Sequence, residues 1–125
     1  MASKRTASQR GKANRRRGHQ FEREVAIDLR AVGFHDAKRH LEYQKEEVVG
    51  VDIDNTGQFK IQCKAKNNSP NIPAVFKEIK HDKDNDIPVV VFKVTNKGEY
   101  ACFKWEDAQV LMAWLHGFSK DESGK

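Results

Sequence analysis

Apolar residues recur at helical spacing near both ends of the chain. Phe21, Val25, Leu29 and Val32 follow one another at steps of four, four and three residues, which predicts a helix over about residues 19–32, ending before Gly33. A second stripe predicts a helix over about residues 105–117, and its members are Ala108, Leu111, Trp114, Leu115 and Phe118. We interpret Trp105, Trp114 and Phe118 as core or dimer-contact residues.

The segment between these helices alternates in the manner of strands. Residues 34–40 predict a short extended run, and residues 48–54 and 59–66 alternate between apolar and polar positions. The turn residues Asn55-Thr56-Gly57 separate the last two segments, so we expect them to form a hairpin. One face of the second strand is predicted to carry Phe59, Ile61, Cys63 and Ala65, and the other Lys60, Gln62, Lys64 and Lys66.

The second half of the chain predicts one helix and two more strands. Pro73 is well placed in the first turn of a helix over about residues 73–82. The nearly continuous apolar run at 87–94 is typical of a buried central strand, and residues 99–104 predict its successor. The predicted order is therefore αβββαββα, an α/β fold with a mixed sheet flanked by helices. The charged stretch 42–47 is interpreted as a solvated loop.

Charge divides the chain unevenly. The net charge is +5, yet residues 1–21 carry seven Lys and Arg and no Asp or Glu, so the remainder is slightly acidic. We expect residues 1–17 to be a disordered basic arm that binds phosphate, residues 18–118 to form one domain, and residues 119–125 to be a flexible tail. A solubilising tail or a localisation signal is the alternative interpretation of the arm.

Cysteine and histidine spacing excludes several classes of function. Cys63 and Cys102 lie far apart and form no C-x-x-C pair, so free thiols in a reducing, cytoplasmic compartment are expected. The five histidines show no zinc-binding or HNH-like grouping, and no phosphate-binding loop is present. No apolar run is long enough to span a membrane, so no membrane association is expected.

The predicted hairpin brings chemistry-bearing side chains together. Asp52 and Asp54 share one face of the first strand, and Gln62 and Lys64 share one face of the second. Carboxylate and amide oxygens suit Mg²⁺, which meets substrate phosphate while it retains several waters. A neighbouring lysine can orient the attacking water or neutralise charge on the phosphate. An exposed sheet face with ordinary polar residues is the alternative.

These motifs resemble a known family. Asp52 followed by Gln62-x-Lys64 resembles the core of the PD-(D/E)xK nucleases. The wider arrangement is similar to the archaeal and phage type of Holliday junction resolvase. The further motifs are Gly18 with Glu22-Arg23-Glu24, Val51-Asp52-Ile53, and Ile87-Pro88-Val89 with Phe92-Lys93. The resemblance covers about residues 17–104 and implies a restriction-endonuclease-like fold.

The resemblance also implies roles for particular residues. Glu22, Asp52 and Gln62 would be the metal ligands, Lys64 the catalytic lysine, and Mg²⁺ the cofactor, with Mn²⁺ as a possible substitute. Gln62 stands where most members carry Glu, and Asp54 can offset the missing charge. The expected DNA contacts are Lys12, Arg15, Arg16, Arg17, Arg39, Lys60 and Lys66.

The function expected from this resemblance is paired nicking of four-way DNA junctions by a homodimer with one site per subunit. Three other functions compete with it. The first is another nuclease of the superfamily, one that nicks, repairs or restricts DNA. The second is a nucleic-acid-binding module whose catalytic site has decayed. The third is a structural protein that packages nucleic acid.

Overall fold

The computed structural model describes residues 6–41, 50–79 and 85–123. The predicted loop at 42–47, the start of the predicted strand 48–54 and the end of the predicted helix 73–82 fall at least partly outside these ranges. The described elements are α1 (Ala7–Ala31), β1 (Lys38–Arg39), β2 (Ile53–Asp54), β3 (Phe59–Lys66), α2 (Ile72–Glu78), β4 (Ile87–Val94), β5 (Gly98–Phe103) and α3 (Trp105–Ser123). The mixed α/β class is confirmed.

Helix α1 begins twelve residues earlier than predicted. Thr6 caps it in a capping box, in which Thr6 Oγ1 accepts from the Gln9 N–H and Gln9 Oε1 accepts from the Thr6 N–H. The prediction of a disordered arm over residues 1–17 is therefore corrected for residues 7–17, which are helical. The prediction overlooked that Ala, Gln, Lys and Arg favour helices even where no apolar face exists. Gly33, at φ 120°, follows the end of the helix as expected.

Strand β4 is the centre of a three-stranded sheet. It pairs in parallel with β3 and antiparallel with β5, in the order β3-β4-β5. The predicted range 87–94 for this strand is confirmed, and Val90 at its centre is fully buried. Helix α2 connects the parallel strands β3 and β4, and it begins after the N-cap Asn71 with Pro73 in its first turn.

The predicted hairpin between residues 48–54 and 59–66 is wrong. Ile53 and Asp54 pair instead with Lys38 and Arg39 in a separate two-stranded sheet. The Asp52 N–H donates to the Ile61 carbonyl at 2.8 Å, but the described residues of this segment form no strand pairing with β3. One reason is that the Asp52 carboxylate, rather than a backbone carbonyl, accepts the next N–H along β3.

Helices cover both faces of the three-stranded sheet. On one face, Phe21 and Val25 of α1 pack with Ile61 and Cys63 of β3 and with β4, as the alternation of β3 predicts. On the other face, Val75 of α2 and Ile79 pack on Val90. The polar face of β3 is therefore partly covered by α2 rather than open to solvent.

Helix α3 extends to Ser123 and so includes residues predicted to be a flexible tail. Its large apolar side chains are mostly exposed; Trp114, for example, is 75% exposed, and Trp105, Leu115 and Phe118 are exposed as well. The interpretation of Trp105, Trp114 and Phe118 as core residues of this chain is therefore wrong, and a contact with another chain stays a prediction. None of the helices in the described ranges has the length and hydropathy needed to cross a membrane.

Candidate functional site

Asp52 lies where the 50–52 segment meets the middle of β3. Its backbone N–H donates to the Ile61 carbonyl, and its Oδ2 accepts from the Cys63 N–H at 2.7 Å. The same residue is held from its other side, because the His40 N–H donates to the Asp52 carbonyl at 2.7 Å. These three bonds fix the carboxylate next to the segment that carries Gln62 and Lys64.

Burial dominates the electrostatics of Asp52. The pKa of its carboxyl group is raised above the ordinary value of 3.8 by loss of solvent, with a smaller contribution from the charge of Glu78. The Cys63 N–H, the Lys64 ammonium and His40 act in the opposite direction on this pKa. Asp52 is thus a desolvated carboxylate with a second acid and a lysine close by.

Glu78, at the end of α2, is the residue that sequence reasoning missed. Its Oε2 accepts from Gln62 Nε2 at 2.7 Å and lies 3.1 Å from Lys64 Nζ. The only signal in the sequence was an acidic residue at the end of the predicted helix 73–82, and nothing there indicated which strand that helix covers. Glu78 therefore brings a negative charge to the position where Gln62 lacks one.

Gly50 explains how Glu78 comes so close. At φ 83° its backbone adopts a conformation that glycine favours, and a Cβ at this position would overlap the Glu78 carbonyl oxygen. The same Cβ would lie 3.0 Å from Gln62 Oε1. The absence of a side chain at position 50 thus lets the segment leading to Asp52 pack against the end of α2.

Gln62 is buried, and the NH₂ group of its side-chain amide makes a hydrogen bond. The residue is 6% exposed, and its Nε2 donates to Glu78. Its Oε1 is buried without a hydrogen-bond partner within the part of the chain that is described. A buried carbonyl oxygen of this kind costs free energy unless a donor or a cation binds it.

Glu22 lies on the α1 side of the sheet. Its Oε2 is buried and 3.8 Å from Arg39 Nη1. Glu22 and Asp52 both raise the pKa of the Cys63 thiol, so the two carboxylates lie in the neighbourhood of the same residue. Arg39, expected to contact DNA, is therefore engaged with the carboxylate expected to bind metal.

The other expected DNA contacts lie in different places. Lys12, Arg15 and Arg16 are exposed along the first half of α1, whereas Arg17 and Lys66 line a common groove. Lys60 donates to the Gly57 carbonyl and lines a cavity of about 290 Å³ with His40 and Asp54. Asp54 does not join Asp52, since it pairs with His40 Nδ1 at 3.1 Å.

Cys63 is expected to be unreactive in the folded protein. It is 8% exposed, and burial first, then the charges of Asp52 and Glu22, raises the pKa of its thiol well above the usual range. Iodoacetamide at pH 8 should modify the half-buried Cys102 first and Cys63 only after unfolding, as followed by peptide mass spectrometry. Equal rates for the two thiols in the native protein would contradict the burial of Cys63.

A complete cluster of metal-binding side chains is not formed among the described residues, since no three His, Cys, Asp or Glu groups lie close enough to hold one ion. Comparison of the chain with protein-family models, curated proteins and solved structures finds no match. The site is defined by its own chemistry, since Asp52, Gln62, Lys64 and Glu78 lie in one neighbourhood.

Proposed function

We propose that the chain is a Mg²⁺-dependent DNA endonuclease, and that its substrate is the four-way junction. The observation that supports this most directly is the hydrogen bond from the Cys63 N–H to Asp52 Oδ2, because it fixes a desolvated carboxylate beside Lys64. A carboxylate can hold a divalent cation, and a nearby ammonium can stabilise negative charge on the phosphate that is hydrolysed.

The residues present fit a hard divalent cation. Gln62 Oε1 is a buried oxygen that lacks a hydrogen-bond partner among the described residues, and Asp52 and Glu78 are two carboxylates whose repulsion a cation would relieve. We assign Asp52, Gln62 and Glu78 as its protein ligands, with Glu22 as a further candidate from the resemblance. Mg²⁺ accepts such a small set because it keeps several waters.

The side chains divide the chemistry between them. Bound Mg²⁺ would supply positive charge where negative charge develops on the phosphate. Asp52, Gln62 Oε1 and Glu78 would hold the cation, and the reacting phosphate would be held through that cation near Lys64. Lys64 orients the attacking water through its ammonium group, and Glu78, at 3.1 Å, fixes that ammonium in place.

A nucleic-acid-binding module without catalysis is the second candidate function. It is favoured by one observation, the ion pair between Lys64 and Glu78, since a lysine neutralised by an acid is less able to act on phosphate. The basic first half of α1 fits either function equally well. The two candidates differ in whether bound DNA is cut.

The test is cleavage of an end-labelled four-way junction and a linear duplex of matched sequence, with Mg²⁺ or with EDTA. We expect paired, symmetric nicks in the junction, none in the duplex, and none with EDTA. Equal cutting of both substrates would mean that the enzyme cuts DNA in general and does not select the four-way junction. Tight binding without any cleavage would reject the enzyme and establish the binding module. A monomer in light scattering would contradict the homodimer that paired nicking requires.

A further inference from the structure

A polar groove leads away from the proposed catalytic lysine. It lies between the first half of α1 and the end of β3, with a volume of about 620 Å³. We call it the α1–β3 groove and define it by Asn14, Arg17, Gly18, Lys64, Lys66 and residues 67–69, which line it. Lys64 belongs both to the groove and to the site, so the two regions adjoin.

The charge of the α1–β3 groove is of one sign. Arg17, Lys64 and Lys66 line it, and no Asp or Glu is found among the described residues of its lining. Glu24, which lines an adjoining cavity with Lys66, lies 3.8 Å from Lys93 Nζ. The rest of the groove wall includes three Asn amides and the Ser69 hydroxyl group beside Gly18, Cys63 and Ala65. The cations, amides and hydroxyl group together suit an anion with several acceptor oxygens.

Asn67 shows how the groove presents hydrogen-bond donors. Its Oδ1 accepts from Arg17 Nη1 at 3.1 Å and from Thr95 Oγ1 at 2.8 Å. Arg only donates, so the oxygen of the amide must face Arg17, and the Asn67 NH₂ group is directed elsewhere. This pair also fixes the guanidinium of Arg17, which has further N–H groups for a ligand.

The groove exists because the inner face of α1 changes character along its length. Phe21 and Val25 pack on the sheet, but one turn earlier the same face carries Gly18 and then Asn14. A Cβ at Gly18 would meet no atom within 4 Å. The helix therefore passes over the end of β3 without filling the space between them.

The composition of the groove indicates which part of a nucleic acid it takes. Arg, Lys, Ser and Asn are the side chains that contact phosphate oxygens, whereas sites for unpaired bases use aromatic side chains. Within the part of the chain that the structure describes, the lining of the groove includes no aromatic residue. We propose, on the basis of the function proposed above, that the α1–β3 groove binds the phosphates of one DNA strand next to the scissile phosphate, irrespective of base sequence.

This assignment separates Arg17 from its neighbours on α1. Lys12, Arg15 and Arg16 are exposed on α1 and are not among the described residues that line the groove. They add to the positive electrostatic field that attracts DNA, but we do not expect them to contact the phosphates that the groove binds. Arg17 is the member of the basic segment that lines the groove.

The first test compares Arg17→Gln with Arg23→Gln. Both remove one positive charge from α1, but Arg23 is exposed and does not line the groove. Junction binding is measured in EDTA at several salt concentrations. Arg17→Gln is expected to weaken binding roughly tenfold at low salt and to reduce the salt slope by about 0.9, the value for one phosphate contact. Arg23→Gln is expected to leave the slope unchanged, and equal effects of the two would overturn the assignment.

The second test fills the groove. Gly18→Leu places a side chain in the open space, and leucine favours the helix, so the thermal stability is expected to be kept or raised. Gly117→Leu on α3 is the matched control, because a Cβ there also meets no atom within 4 Å. Only Gly18→Leu is expected to weaken binding of the junction, and binding unchanged by Gly18→Leu would overturn the proposal.

The closing experiment places neutral methylphosphonate links, one at a time, at the phosphates beside the cleavage site. We expect a loss of affinity at one or two positions for the wild type and no further loss there for Arg17→Gln. Additive losses at every position would mean that Arg17 binds elsewhere, and the groove assignment would fail while the nuclease proposal stands. A wild type that binds no DNA would remove both proposals together.

Discussion

Asp52→Asn is expected to reduce cleavage by about a thousandfold or more, while the protein stays folded. The side-chain oxygen of Asn can still accept the Cys63 N–H that Asp52 Oδ2 accepts at 2.7 Å, so the backbone arrangement is kept. The charge that would face the cation and the phosphate is lost. Single-turnover cleavage of the junction at saturating Mg²⁺ measures the effect.

The pKa of Asp52 also predicts the direction in which Asp52→Asn changes the melting temperature. The folded-state pKa of Asp52 is raised above 3.8, so the folded state favours the neutral carboxyl group. Its stabilising contribution is complete below pH 3.8 and is lost as the pH rises through the raised value. Asn is neutral at every pH, so Asp52→Asn is expected to melt at a higher temperature than the wild type at pH 7 without Mg²⁺, and the difference should shrink as the pH falls.

Asp28→Asn is the control for both measurements. Asp28 is an exposed carboxylate on α1, and its replacement is expected to change neither cleavage nor the melting temperature at pH 7 by much. Full activity of Asp52→Asn would remove Asp52 from the mechanism. A large fall in melting temperature at pH 7 would show instead that the ionised carboxylate supports the fold.

The parts of the fold that local pattern determines were predictable. The run at 87–94 became β4 because a strand buried on both faces needs apolar residues at every position. The inward face of β3 followed from strict alternation, and Ile61 and Cys63 lie in the core as expected. Gly33 marked the end of α1 because a positive φ after a helix suits glycine.

The parts that depend on contacts between distant segments were not predictable. Alternation in two neighbouring segments indicated a hairpin, but β3 found its partner in β4, beyond α2. Alternation indicates which face of a strand is buried, but it does not indicate which other strand pairs with it. The exposure of Trp114 has a similar origin, because an apolar helix face does not reveal whether its partner belongs to the same chain.

The candidate site shows the same division. Asp52, Gln62 and Lys64 were found from their spacing, and the structure brings these side chains into one neighbourhood through the bond from Cys63 to Asp52. Glu78 was missed because its contact with Gln62 spans sixteen residues and depends on how α2 crosses the sheet. The burial of Gln62 was missed for the same reason, since its predicted position was on an exposed face.

Removal of the charge of Glu78 is expected to give the second large effect on Mg²⁺ binding and cleavage. Glu78→Gln is expected to weaken Mg²⁺ binding and cleavage by about 10- to 100-fold, because it leaves Asp52 as the only carboxylate of the proposed ligand set. Mg²⁺ binding is measured by calorimetry on the protein without DNA. Affinity unchanged from that of the wild type would exclude Glu78 as a ligand, even if the loss of its ion pair with Lys64 slowed cleavage.

Two further variants, Gln62→Glu and Gln62→Glu/Glu78→Gln, test whether the number of carboxylates or their position decides Mg²⁺ binding. Gln62→Glu places two carboxylates where Gln62 Nε2 now donates to Glu78 at 2.7 Å, so it is expected to lower the melting temperature without Mg²⁺ and to recover it on Mg²⁺ addition. The double variant Gln62→Glu/Glu78→Gln restores one carboxylate and one amide, and it should regain most of the affinity that Glu78→Gln loses. A double variant as weak as Glu78→Gln would mean that the acid must come from α2, and that the two positions do not share one cation.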